Sequence, residues 1–396
     1  MNNNAIYKPR LLPLALATLS GLAVLSTARA EIVLYDKDDT RFSTDGYINA
    51  FYVHTDTDRF GSLQDRKQSR IRMGFLPNYI GFNFGKTIDG LQLGARSSFW
   101  VTINDSQFNG TSTGIDVRQF YGTAGAEWGE VLIGKDFGLF ARSNIFLDEL
   151  LAGVGNVSDT VGLVNGGGVT FGNIGTGYPY AFPSSQITYR NKGLLVKGLD
   201  IAVGIIDPVH ATGSANAYED KPRFETEVSY SHDFGGPSIY TWINGMHQQT
   251  KDAAPGVSDV SSNGLGYGLQ GKAAGFSLTA SGFKAKGIHT YFTNNLTNAN
   301  LRNTDSNGWL LQGSYSFLDK NKVALSYGKS RDKGQNRAGI VGQRADYSTG
   351  GMAYFYTVNN NFKLVAEYNR FKIDGRDNNL DDENTKTLAF GAVINW

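Results

Sequence analysis

Any chemistry this chain performs must come from few residue types, because cysteine is absent and there are only five histidines. Those five are His54, His210, His232, His247 and His289, and no two stand at metal-ligand spacing, so a zinc site is not expected. Serine, histidine and aspartate occur in several loops, but nothing in their order brings a nucleophile to a base. Gly266-Tyr267-Gly268-Leu269-Gln270-Gly271 fits G-x-G-x-x-G, yet it lies inside an alternating stretch and another such stretch, Phe276–Lys284, follows it. A dinucleotide site needs a helix there. Asn165-Gly166-Gly167-Gly168 has no Gly-Lys-Ser/Thr after it and reads as a tight turn. Asp374, Asp377, Asp381, Asp382 and Glu383 form an acidic loop whose spacing is not that of an EF-hand. Its carboxylates suit divalent cations bound through oxygen, or simply a solvated loop. No cofactor, resident metal or enzymatic reaction is therefore expected. The remaining charges are suited to steering ions and polar solutes.

The elements that must position those charges are strands. Residues 1–30 stand apart: Lys8 and Arg10 precede an uncharged apolar run, Leu11 to Leu25, and Ala28-Arg29-Ala30 is a small-x-small cleavage site. This is a secretory signal peptide, with the functional chain expected at 31–396. After it, no run approaches the ~18 apolar residues a membrane helix needs. Lys and Arg number 37 against 36 Asp and Glu, a balance that gives no electrostatic case for nucleic acid. Only 18% of residues are charged, and Gly, Tyr and Phe take the place of an aliphatic core.

Periodicity is two nearly throughout. Phe224, Thr226, Val228 and Tyr230 alternate with Glu225, Glu227, Ser229 and Ser231. Trp309, Leu311, Tyr315 and Phe317 alternate with Leu310, Gln312, Ser314 and Ser316, and Leu388, Phe390, Ala392, Ile394 and Trp396 with Thr387, Ala389, Gly391, Val393 and Asn395. One face is apolar and the other polar or very small, as strand geometry permits. Short turns (near 87–90, 127–129, 192–198, 235–237, 273–275, 318–321 and 359–361) alternate with long polar loops, the longest at Asp136–Ser184. That count requires about sixteen strands of membrane length. The first strand, near Phe42–His54, and the last, Thr385–Trp396, can pair antiparallel and remove the sheet edge. A soluble sandwich or propeller would also give many short strands. Here the polar face is too polar for a packed interior.

Several stretches resemble the general, trimeric porins of Gram-negative bacteria. They are Ala30-Glu31-Ile32 with Tyr35-Asp36-Lys37-Asp38 through Gly46, Ile133-Gly134-Lys135-Asp136-Phe137-Gly138, Thr188-Tyr189-Arg190-Asn191, and the aromatic end at Trp396. The resemblance implies an all-β fold: a sixteen-stranded antiparallel transmembrane barrel in the outer membrane, with the third loop folded into the lumen, assembled as a homotrimer. It places Asp148 on the family's constriction aspartate. The family's second acid falls on Ala152, so Glu149 is the candidate in its place. Arg118, after a one-residue gap, and Arg190 fall on or within family phrases. Arg96 alternates with Gln92 and Ser98 and so faces the lumen, while Pro77 is expected to introduce a bulge that decides the facing of Arg70 and Arg72. A short helix is expected within Ala141–Ala152.

The expected function is a water-filled channel for small hydrophilic solutes and ions, with outer-membrane lipid and lipopolysaccharide as surroundings; the acidic loop either shares divalent cations with lipopolysaccharide or, as its composition favours, is simply solvated. A substrate-specific channel would be marked by a track of lumen aromatics or a ladder of one charge sign. A barrel adhesin or receptor would need a plugged lumen.

Overall fold

The computed structural model describes residues 31–60, 64–104, 114–158, 170–193, 195–209, 216–254, 257–291, 304–334, 344–375 and 382–396. The expected signal segment, Asn165–Gly168, His210 and the loop acids Asp377 and Asp381 lie outside these residues.

The strand segments are β1 (Ile32–Lys37), β2 (Thr40–Arg59), β3 (Arg66–Arg72), β4 (Asn78–Ile88), β5 (Leu91–Val101), β6 (Asp116–Ala126), β7 (Gly129–Phe137), β8 (Pro183–Lys192), β9 (Leu199–Ile206), β10 (Arg223–Asp233), β11 (Ser238–Ala254), β12 (Val257–Ala273), β13 (Phe276–Lys286), β14 (Thr304–Phe317), β15 (Asn321–Gly334), β16 (Arg344–Asn359), β17 (Phe362–Gly375) and β18 (Glu383–Asn395). They make sixteen staves, each antiparallel to its neighbours. β3 and β4 share one stave, because both pair with β2, at Arg72↔Phe51 and at Tyr79↔Tyr47. β1 and β18 share another: β18 pairs with β2 from Glu383↔Arg59 to Asn395↔Tyr47, and β1 continues from Ile32↔Thr44. The β18–β2 ladder closes the sheet, so that β2 to β18 form a cylinder without a first or last stave, as a bilayer requires.

Turn chemistry fits this register. Asp38 and Asp39, with φ of 52° and 53°, and Ala274 and Gly275, with 49° and 83°, give pairs of left-handed residues. Such pairs make the tight turns whose twist matches a hairpin.

The side chains reverse the usual inside-out distribution. Ile48 and Tyr52 on β2, Ile243 on β11, Leu265, Tyr267 and Leu269 on β12, Trp309 and Leu311 on β14, and Phe390 and Ile394 on β18 are all exposed. Their alternates, among them Thr55, Asn244, Gln270, Gln312, Asn369 and Thr387, are buried. An apolar exterior is favourable only where the surroundings are lipid. Gly268 on the inward face admits the Trp242 indole, whose Cζ2 lies 2.1 Å from where a Cβ would be. The G-x-G-x-x-G stretch thus sits within β12, with no helix after it.

The expected helix is shorter than its sequence window. It is one turn, α1 (Arg142–Phe146), entered through Ala141 at φ 64°. Beyond it isolated turns, such as Leu151 N–H to the Asp148 carbonyl at 3.1 Å and Gly153 N–H to the Leu150 carbonyl at 2.8 Å, are supplemented by side chains from distant strands.

Candidate pore constriction

The connection between β7 and β8 is tied to the buried faces of strands far from it in sequence. Glu225 of β10 accepts the Leu139 and Phe140 N–H groups at 2.6 and 2.9 Å, and Glu227 accepts the Ser143 hydroxyl at 2.9 Å. Gln312 of β14 donates to the Leu147 carbonyl at 2.6 Å and accepts the Glu149 N–H at 2.9 Å. Glu367 of β17 accepts the Val154 and Gly155 N–H groups at 2.8 and 2.5 Å. Glu383 of β18 accepts the Ser158 hydroxyl at 3.0 Å, and Phe75 N–H donates to the Gly153 carbonyl at 2.7 Å. Charge-assisted bonds of this kind are about twice as strong as neutral ones. At Gly328 of β15 a Cβ would lie 1.7 Å from the Thr176 carbonyl oxygen, so contact between this connection and β15 requires glycine.

Asp148 sits inside the connection rather than on its surface. One oxygen accepts the Tyr178 hydroxyl at 2.5 Å and the Asn173 N–H at 2.9 Å; the other accepts Asn173 Nδ2 at 2.8 Å and the Leu150 N–H at 2.9 Å. It is only 4% exposed. Burial raises its pKa above the ordinary carboxylate range, against the four hydrogen bonds that lower it. Burial likewise pushes the Tyr178 phenol well up, reinforced by the Asp148 charge. Unseating this segment would hydrate Asp148, return its pKa to normal and release a proton. The seated form is therefore favoured at pH below the ordinary value and loses that preference as pH rises through the raised one. Hydrogen exchange at the Leu150 and Asn173 amides, corrected for intrinsic rate, is expected to slow as pH falls through that window. Asp148→Asn should flatten the dependence; exchange that speeds on acidification would contradict the assignment.

Glu149 lies next to it but turns to the strand wall, with Oε2 2.5 Å from Lys322 Nζ and Oε1 accepting the Ser314 hydroxyl at 3.1 Å. Lys272, Lys322 and Lys363 each stand two residues from a buried one, Gln270, Ala324 and Val365, which puts them on the same inward face. Period-two reading of β12, β15 and β17 could have found these lysines. Glu149→Gln is expected to leave their charge uncompensated and shift the reversal potential in a salt gradient toward the anion limit. An unmoved potential would place Glu149 outside the ion path.

The arginines occupy the opposite strands. Arg96 is buried and inward: NH1 meets Asp45 Oδ1 at 2.8 Å and Asn83 Oδ1 at 2.6 Å, NH2 meets Asp45 Oδ2 at 3.1 Å, and Nε donates to Gln119 at 2.9 Å. Arg118 occupies a β-bulge. Ser98 pairs with Gln119 and Phe99 with Val117, so Arg118 is the extra residue. The bulge lets it reach the Tyr180 hydroxyl at 3.1 Å and Asp116 at 2.8 Å. Arg190 of β8 lies opposite Glu130 and lines a small cavity with Glu130, Asp136, Arg142 and Gln186. Arg72 and Arg70 lie opposite Phe51 and Val53, two residues of the inward face of β2. The Met73–Pro77 interruption shifts the phase, so that inward positions are even in β3 and odd in β4. Arg72, Arg96 and Arg190 thus stand at inward strand positions, Arg118 at a bulge, and Asp148 and Glu149 in the connection, and the six do not form one cluster. Among the described residues, no group of three or more His, Asp or Glu could hold a metal ion.

An apolar exterior, a closed antiparallel sheet of sixteen staves and a charged inner face define an outer-membrane channel. The sequence matches the Gram-negative porin family over residues 15–376, and the chain belongs to that family. Solved structures similar in fold include the outer membrane channel DcaP of Acinetobacter baumannii, at 14% identity and TM-score 0.65, covering 92% of this chain and 100% of that one. The anion-selective porin from Comamonas acidovorans is similar at 14% identity and TM-score 0.63, covering 90% and 100%. Salmonella typhi OmpF in complex with daunomycin is similar at 15% identity and TM-score 0.56, covering 91% and 100%. No curated protein sequence matches this chain. The protein is an outer-membrane channel through which solutes diffuse passively.

Proposed function

We propose that the connection between β7 and β8 lies inside the barrel and sets the width of a general pore for small hydrophilic solutes and ions. The observation that carries this is the set of anchors: strand carboxylates Glu225, Glu367 and Glu383, from opposite parts of the chain, all bind the one segment. Residues 1–30 are removed on export, and the chain 31–396 assembles as a homotrimer. It has no cofactor, performs no reaction and binds no nucleic acid. At the loop-side rim the outward face carries Lys329 and Arg331 against Asp346, at 3.2 and 2.5 Å, and Lys386 near Asp58 at 3.8 Å. These cations suit lipopolysaccharide phosphates, with divalent ions shared by the acidic loop around Asp374 and Asp382.

Planar-bilayer recording in a salt gradient tests the reading. Stepwise ohmic openings in groups of three, with a defined reversal potential, are expected. Folded protein that gives no steps would favour a barrel acting as receptor or adhesin. A substrate-specific channel has its own supporting observation, a row of inward rings.

A further inference from the structure

The inner wall beside α1 carries contiguous aromatic rings. Tyr79 and Trp100 stand 4.8 Å apart between centroids, Trp100 and Phe137 6.4 Å, Phe137 and Tyr180 6.1 Å, and Tyr180 and Phe182 5.6 Å. Phe146 of α1 meets Phe137 edge-on at 5.5 Å. Trp100, Phe137 and Tyr180 are buried and fix the row. Tyr79, Phe146 and Phe182 pack on them but keep part of their surface open.

The charges beside these rings are neutralised in pairs. Arg96 pairs with Asp45 and lies 5.8 Å from the Tyr79 ring; Arg118 pairs with Asp116 and lies 5.1 Å from Trp100; Arg142 pairs with Asp136 at 3.0 Å and lies 5.1 Å from Phe146. The guanidinium groups therefore hold the rings by cation–π contact without supplying net charge to a passing solute. What remains open on this wall is the uncovered part of Tyr79, Phe146 and Phe182, ring surface that gains from a further aromatic contact.

We propose that Tyr79, Phe146 and Phe182 form a stacking subsite for neutral aromatic solutes, which pass faster than saturated analogues of equal size. This deepens the channel reading and rests on it. Planar rings gain offset or edge contacts with these faces that puckered rings do not. A contact this shallow raises occupancy of the narrow region without trapping the solute.

The test uses uracil and dihydrouracil, both neutral near pH 7 and nearly isosteric. Tracer influx into proteoliposomes is compared, with channel conductance measured on the same preparation. Uracil is expected to enter about threefold faster, in keeping with one weak stacking contact. The ratio should fall clearly below the wild-type value in Phe146→Leu/Phe182→Leu, which keeps apolar volume but removes two of the three rings. Equal influx of the two solutes through conducting wild-type channels overturns the subsite and leaves the pore standing. Discrimination that is undiminished in a folded double variant overturns it as well. Absence of conductance overturns the pore and the subsite together. The wild-type ratio decides the matter even if the variant does not fold.

Discussion

Replacing Asp148 by alanine is expected to unseat the β7–β8 connection while the barrel stays closed. The carboxylate gathers four donors at a buried point: the Tyr178 hydroxyl, the Asn173 N–H and Nδ2, and the Leu150 N–H. A buried donor left unmade costs about 1–3 kcal/mol, so loss of the set destabilises the seated segment by at least roughly 3 kcal/mol. Single-channel steps should become larger and noisier, and exchange of the Leu150 amide should quicken. The sheet ladders do not involve this residue, so the temperature at which the barrel unfolds in detergent should barely move. Wild-type conductance and wild-type exchange in this variant would remove Asp148 from its role as fastener. Asp148→Asn is milder, because it keeps one acceptor oxygen but turns an amide toward the Tyr178 hydroxyl or the Asn173 donors.

Arg96→Met should destabilise the wall itself. Arg96 and Asp45 have side-chain exposures of 6% and 5%, and the guanidinium also engages Asn83 and Gln119. Removing the cation strands the Asp45 carboxylate among groups arranged around a charge, at a cost of about 3–5 kcal/mol. The unfolding midpoint in denaturant should drop accordingly. Arg96→Met/Asp45→Leu should regain most of the loss, because no unpaired charge is left. If the double variant is no more stable than the single one, the pair is not the cause.

Much of the fold was legible because one rule, alternation with period two, governs every stave. Leu388, Phe390 and Ile394 face outward and Thr387, Ala389 and Val393 inward, as the sequence pattern requires. The turn at 89–90 was legible because Asp-Gly suits the left-handed pair a tight hairpin needs, and those at 274–275 and 318–319 through Gly275 and Asp319, although Ala274 and Leu318 also take that geometry. The composite stave of β3 and β4 was legible only at Pro77, where a missing donor must interrupt a ladder. The site was harder to read. Facing follows from local pattern, so Arg96 could be placed inward. The partner of Asp148 could not be found, because Tyr178 lies thirty residues on, across a stretch without periodicity. Arg118 depends on a bulge that displaces the pattern by one residue. Glu225 and Glu367 look like ordinary inward polar residues, and only the three-dimensional arrangement gives them backbone N–H groups to hold.

Those anchors also impose an order of assembly. The Val154 N–H and the Ser158 hydroxyl meet their carboxylates 213 and 225 residues further along the chain. These two bonds can form only once β17 and β18 are in place, whatever contacts the segment makes locally. The final staves must have joined the cylinder before the segment is fully fastened; with that segment narrowing the pore as proposed, a half-built molecule would leak more freely than the finished one.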